Sequence, residues 1–175
     1  LFTHAFFKAL LFLGSGCVIH SFKEEQDIRS MGGVWKKIPY TYGLMIIGTL
    51  ALTGFPFLSG YYSKDAIIEF AYLKGSTIGY YAVGVGIITA TLTSFYSWRL
   101  IFKTFNGKYN NKKNSLSSIN ESPLTMLAPT FLLALGAIFA GFMFKEMFIG
   151  SQSINFWENS ILFLETVKYD HPPKW

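Results

Sequence analysis

Long stretches of this sequence carry no charge. Ile38 to Ser63, Gly75 to Trp98 and Ser122 to Phe144 contain no Asp, Glu, Lys or Arg. Each run exceeds the roughly 20 residues with which an α-helix crosses a hydrocarbon core about 30 Å thick. Charged residues are 14% of the chain, against about a quarter in a soluble domain. Buried helices of a soluble protein would be shorter and would show a polar face. Three such runs in 175 residues also leave too little polar surface to wrap them in water. Cysteine is nearly absent as well. Cys17 stands alone in an apolar stretch, which excludes a disulfide framework, a zinc site and an iron–sulfur site on this chain. Gly84-Val85-Gly86 lacks the third glycine of a dinucleotide fingerprint and lies inside an apolar run. No charged n-region or cleavage site precedes the first apolar segment, so a signal peptide is not expected. The start at Leu1 and the finish at Trp175 read as cuts in a longer protein.

What is present is a set of membrane spans. Leu1 to Phe22 is apolar except for His4, Lys8 and His20. A polar loop follows, and Pro39 opens a second apolar stretch reaching about Leu73, far longer than one crossing needs. Gly54-Phe55-Pro56-Phe57-Leu58-Ser59-Gly60 interrupts it. Proline removes a backbone donor and clashes with the preceding turn, while glycine tolerates unusual dihedrals. Two half-helices joined by an unwound hinge are therefore expected. A third span covers about 77–105. Asn106 to Ser122 is polar and reads as a loop. Ser122-Pro123 reads as the N-cap and first position of a fourth span, ending near Phe144. The expected organisation is one partial membrane domain over 1–175: spans at about 1–22, 39–73 (broken), 77–105 and 123–144, then a polar, interfacial tail over 145–175.

Nine Lys and Arg residues lie on the side of the loops at 23–37 and 99–121, and four on the other. The positive-inside rule puts the basic loops in the cytoplasm or a mitochondrial matrix. Topology thus explains the net charge of +5 without nucleic acid as a partner. Trp35 and Trp98 suit an aromatic belt at that interface.

Two buried lysines carry the chemical interest. A Lys at mid-membrane costs about 2.5–3.5 kcal/mol or more. Lys8 is flanked by Phe6, Phe7, Ala9, Leu10 and Leu11, and His4 lies one helical turn away on the same face. A desolvated amine beside a His exchanges protons readily, as a relay requires. The competing reading is a Lys that snorkels to an interface. Lys64 lies four residues after Gly60, where a broken helix leaves orphan backbone groups at membrane depth. The end of the first half-helix favours a cation and the start of the second favours Asp65. The bland reading places both at the far interface. Glu69 reads as interfacial, and His20 as a cap on its own helix. Thr89, Thr91, Thr93 and Ser94 either line a hydrated path or bond back to their own helix, the commoner case. His171 reads as solvated.

His4-Ala5-Phe6-Phe7-Lys8-Ala9-Leu10-Leu11-Phe12-Leu13, closing with Val18-Ile19-His20, resembles the signature of the antiporter-like subunits of respiratory complex I. Asp27-Ile28-Arg29 with Met31-Gly32-Gly33 resembles the loop that follows it there. Gly54-Phe55-Pro56 and Gly60-Tyr61-Tyr62-Ser63-Lys64-Asp65 resemble the discontinuous helix that comes next. The resemblance is specific from Leu1 to about Lys74 and looser to Trp157, with details closest to the largest, distal subunit.

The resemblance implies an all-α polytopic membrane protein of about four transmembrane helices, the second discontinuous, as part of an antiporter-like inverted-repeat fold. It implies a proton relay in which Lys8 is the central lysine, His4 the His one turn before it and Lys64 the lysine of the broken helix; Asp65, read from its position beside Lys64, is the candidate partner. It implies other membrane-arm subunits and the lipid bilayer as partners, in a bacterial plasma membrane or mitochondrial inner membrane. No cofactor or metal is expected on this chain; NADH, FMN, iron–sulfur clusters and quinone belong to other subunits. Two alternatives remain: a subunit of a multisubunit sodium/proton antiporter, which shares these motifs, and a purely structural membrane subunit, whose buried lysines would have fixed acidic partners.

Overall fold

The computed structural model describes residues 1–110, 115–150, 152–158 and 160. The described residues form helices and loops, in the order α1 (Phe2–Ser21), α2 (Pro39–Thr53), α3 (Ser59–Leu73), α4 (Thr77–Ile101), α5 (Leu124–Phe148) and the short α6 (Ser153–Trp157). α4 runs on into a π-helical turn, Phe102–Asn106, and Leu116–Ser118 form a 3-10 turn. α1, α4 with its π turn, and α5 are each long and apolar enough to cross a membrane alone. α2 and α3 have 15 residues each, about 22 Å at 1.5 Å per residue, so they span only together.

Local chemistry sets the helix ends. Pro39 stands at the first position of α2, where its missing N–H costs nothing. Gly54 stops α2 in the left-handed conformation, φ 83°. Its N–H donates to the Ala51 carbonyl, and the next, from Phe55, to Leu50. Ser76 caps α4 by accepting from the Gly79 N–H at 3.1 Å. α5 begins at Leu124 with Pro123 as its cap residue. Ser122 is therefore not the N-cap that its position before Pro123 suggested. Its hydroxyl is drawn to α1 instead, donating to the Cys17 carbonyl at 3.0 Å. At the other end α5 continues past Phe144 to Phe148, placing Lys145 in the last turn, where a cation suits the helix dipole. The tail beyond 160, with His171, lies outside the described residues. Ahead of it, α6 packs Phe156 and Trp157 on Phe148.

The helices form one bundle. α1 packs on α5 and α2, and α3 packs on α5 and α4. One apolar cluster, including Phe22, Val34, Ile38, Met45, Ile101 and Phe105, closes the loop end. A second joins Phe7 and Leu10 to Leu44, Ala51, Leu52, Ala134 and Ala137 deeper in the bundle. The chain just ahead of α5 straps the loop end. Glu121 accepts from the Tyr40 N–H at 2.9 Å and from the Thr41 hydroxyl. It thereby supplies a cap that α2 lacks locally. In the loop between α1 and α2, Asp27 holds the Arg29 guanidinium through Nε and Nη2, which keeps that carboxyl below the usual carboxylate range.

The outer surface is apolar. Phe12, Ile88, Leu92, Phe95, Phe131 and Leu132 are each exposed. Such a surface is expected where lipid or other transmembrane helices surround the protein.

Candidate functional site

The helix break reaches α1 at Phe7, the neighbour of Lys8. Gly60 begins the second half-helix so close to the first that a Cβ on it would stand 1.7 Å from the Ala51 carbonyl oxygen. Only glycine permits this approach. The same Cβ would meet the Phe7 ring at 3.7 Å, so the break and α1 touch at Phe7. Phe6, one residue earlier, fills the place left by Gly136, where a Cβ would be 2.2 Å from its ring. Gly136 is the midpoint of α5. Lys8 is two residues from Phe6, about 3 Å along the axis. Lys8 and the middle of α5 therefore lie near one level of the bundle, and the Gly60 crossing, whose neighbour Ser59 meets Gly141, lies about 7–8 Å farther toward the end of α5.

At that level Phe7 and Leu10 are buried, while Lys8 is half-buried beside them. His4 is exposed, with its ring edge-on to Phe7 at 4.9 Å between centroids. Lys64 lies four residues past Gly60, about 6 Å farther along α3. Ile68, one turn on from Lys64, meets α4 where a Cβ on Gly86 would be 3.4 Å away. Lys64 thus lies on the side of α3 that turns to α4. It is half-buried and its neighbour Asp65 is exposed. Among the described residues neither Lys8 nor Lys64 has a carboxylate within ion-pair distance, the ion pair present being Asp27–Arg29. Among them there is also no group of three His, Cys, Asp or Glu that could hold a metal. Two of the α4 hydroxyls bond back to their own helix: Thr91 donates to the Ile87 carbonyl and Thr93 to Thr89.

The structure thus brings Phe7, next to Lys8, against the helix break, with His4 one turn from Lys8 and Lys64 about one turn beyond the crossing. Sequence reasoning did not single out Ser59, which is fully buried at the start of α3 with a hydroxyl that has no hydrogen-bond partner. Nor did it single out Lys145, whose Nζ stands 5.6 Å over the Tyr62 ring. A serine closing a Gly/Pro-rich hinge offers no signal to separate it from an ordinary turn residue. Lys145 ends a charge-free run, which reads as an interface marker.

Comparison with known proteins agrees with this architecture. Residues 1–93 match the family described as "NADH:quinone oxidoreductase/Mrp antiporter, TM". Residues 96–158 match "NADH dehydrogenase subunit 5 C-terminus". The chain is 49% identical over 164 residues to NADH-ubiquinone oxidoreductase chain 5 of Marchantia polymorpha, covering 94% of this chain and 24% of that protein. It is 50% identical over 159 residues to chain 5 of Phytophthora infestans, covering 91% and 24%. It is 48% identical over 167 residues to NADH-quinone oxidoreductase subunit L of Rhodobacter capsulatus, covering 89% and 23%. The chain spans about a quarter of the length of these relatives. With an all-helical fold, a broken second span and a motif-bearing first helix, the chain is an integral membrane protein and belongs to the NADH:quinone oxidoreductase/Mrp antiporter transmembrane family.

Proposed function

We propose that this chain is part of a proton-translocating membrane-arm subunit of an NADH:quinone oxidoreductase, and that protons pass through Lys8, His4 and Lys64, with Asp65 as partner to Lys64. The observation that carries this reading is the contact between the α2/α3 break at Gly60 and Phe7, the neighbour of Lys8 on α1. An amine there is desolvated, and the break brings unpaired backbone dipoles beside it. Lys8 gains its proton from one side and yields it toward Lys64. His4, a turn away, carries a proton at a ring nitrogen. Redox chemistry occurs on other subunits, where NADH, FMN, iron–sulfur clusters and quinone bind, and membrane-arm neighbours surround the apolar outer face. The basic loops at 23–37 and 99–121 face the cytoplasm or matrix, by the excess of Lys and Arg.

The subunit names of the relatives favour this over a sodium/proton antiporter, which the family description also embraces. Against a purely structural role stands the lack of a carboxylate within ion-pair distance of either lysine among the described residues. The test is proton uptake per quinone reduced, in sodium-free vesicles holding the whole complex, with wild type and Lys8→Ala. The expected result is full coupling in the wild type and a sharp fall of pumping and turnover in the variant. Sodium-dependent uptake in the wild type would favour the antiporter reading. An assembled Lys8→Ala complex with unchanged stoichiometry would assign Lys8 a structural role.

A further inference from the structure

The loop end of the bundle holds a cavity of about 110 Å³, away from Lys8 and Lys64. Four segments wall it: Val18 of α1, Met45 of α2, Leu100 of α4 and Met31 of the loop between α1 and α2. Two of these are methionines, which adapt to the shape of an occupant. Three polar side chains also border it: Ser15, Gln26 and Thr104. Ser15 gives its proton to the Leu11 carbonyl at 2.8 Å, and Gln26 is exposed. Thr104 differs from both. It is buried and lies in the π-helical turn Phe102–Asn106. Thr91, Thr93 and Ser97 of α4 each donate to the carbonyl four residues earlier, the usual outlet for a helical hydroxyl. The Thr104 hydroxyl has no hydrogen-bond partner among the described residues. Ser59 Oγ is the fully enclosed side-chain atom in that condition. The Thr104 hydroxyl therefore keeps its small accessible area, and that area opens on the cavity. Turns of π-helix are frequent at functional sites, and this one carries a free hydroxyl into an apolar space.

We propose that this cavity is a binding site for a short aliphatic alcohol, its hydroxyl on Thr104 and its chain among Val18, Met31, Met45 and Leu100. The proposal is independent of the proton-translocating reading. Water suits the space poorly, because a buried water takes about three hydrogen bonds and the walls around Thr104 are apolar. A small apolar body suits it better, since a cavity of about 150 Å³ lined by such side chains takes up benzene. At about 110 Å³ the space fits a body smaller than that ring. A few apolar walls with one well-placed polar group are the usual make-up of a small-molecule site. An alcohol both donates and accepts, as threonine does, so either hydroxyl can supply the proton of the bond between them. The occupant touches α1, α2, α4 and the loop at once, and so holds the loop against the helices.

The test is amide hydrogen exchange across the loop from Gln26 to Val34, in the whole complex, titrated with n-butanol and with 1-chlorobutane, which lacks the hydroxyl. The variants are Thr104→Val, which keeps the shape and removes the hydroxyl, and Ile28→Phe, which fills the cavity from the loop that lines it. In the wild type, n-butanol is expected to slow exchange saturably, and at lower concentration than 1-chlorobutane does. Thr104→Val should raise the n-butanol midpoint about threefold to tenfold, the value of one hydrogen bond, and leave 1-chlorobutane unchanged. Ile28→Phe should abolish the protection by either compound. Because the Thr104 hydroxyl has no partner among the described residues to lose, Thr104→Val decides even if Ile28→Phe disturbs the loop. No protection in the wild type, equal midpoints for the two compounds, or an n-butanol midpoint unmoved by Thr104→Val would each overturn the proposal.

Discussion

Lys8 differs from the other basic residues of the chain in what surrounds it. It sits on a helix between buried Phe7 and Leu10, within about 3 Å of the level where α5 is half-way across. Asp27 and Arg29 show the contrary case. Their forked pair is exposed in a loop, and Asp27 is held below its ordinary range chiefly by the Arg29 hydrogen bonds. For a depressed carboxyl, the contribution is present above the unfolded value, about 3.9, and is lost as pH falls through the lower folded value. Hydrogen exchange at the Arg29 amide, which donates to Asp27 Oδ1 at 2.9 Å, is therefore expected to keep its protection from pH 7 to pH 5. Protection lost between those values would contradict the pairing. Both lysines and the His were visible in the sequence because charge inside an apolar run is conspicuous. Ser59 was not, since its lack of a partner is a property of three helices meeting.

At the scale of elements, the broken helix depends on two kinds of residue. Gly54 and Pro56 end α2, and both are legible in sequence as breakers. Gly60 matters for a different reason, its approach to the Ala51 carbonyl, which only the fold shows. Gly60→Ala forces the half-helices apart and is expected to cost at least the 1–3 kcal/mol typical of overpacking. The check is thermal unfolding of the purified complex; an unshifted transition would mean that the crossing is looser than it stands here. The start of α2 carries a second long-range dependence. Its cap comes from Glu121, some 80 residues away, so no local motif announces it. Glu121→Ala is expected to destabilise the loop end by about 0.5–2 kcal/mol, the usual range for a lost cap. Faster amide exchange at Tyr40 and Thr41 would report it, and unchanged exchange there would show that the strap is dispensable. Ser122 illustrates how the sequence misleads at this scale. A Ser before Pro123 has the form of a cap, but the hydroxyl finds the Cys17 carbonyl because α1 ends beside it.

Over the whole molecule, membrane spans were the most legible feature, since a charge-free run of more than 20 residues has few soluble uses. Relations between spans were not legible, because transmembrane packing turns on small residues such as Gly136 and Gly141 whose partners are remote in sequence. The outer face of α4, with Ile88, Leu92 and Phe95 exposed, awaits lipid or neighbouring helices. The central claim is that Lys8 exchanges a proton rather than serving as a fixed charge. Lys8→Arg in the whole complex separates the two directly, since the guanidinium keeps the charge but does not release its proton. Protons moved per quinone reduced should fall in an assembled Lys8→Arg complex; a wild-type ratio would contradict proton passage through Lys8.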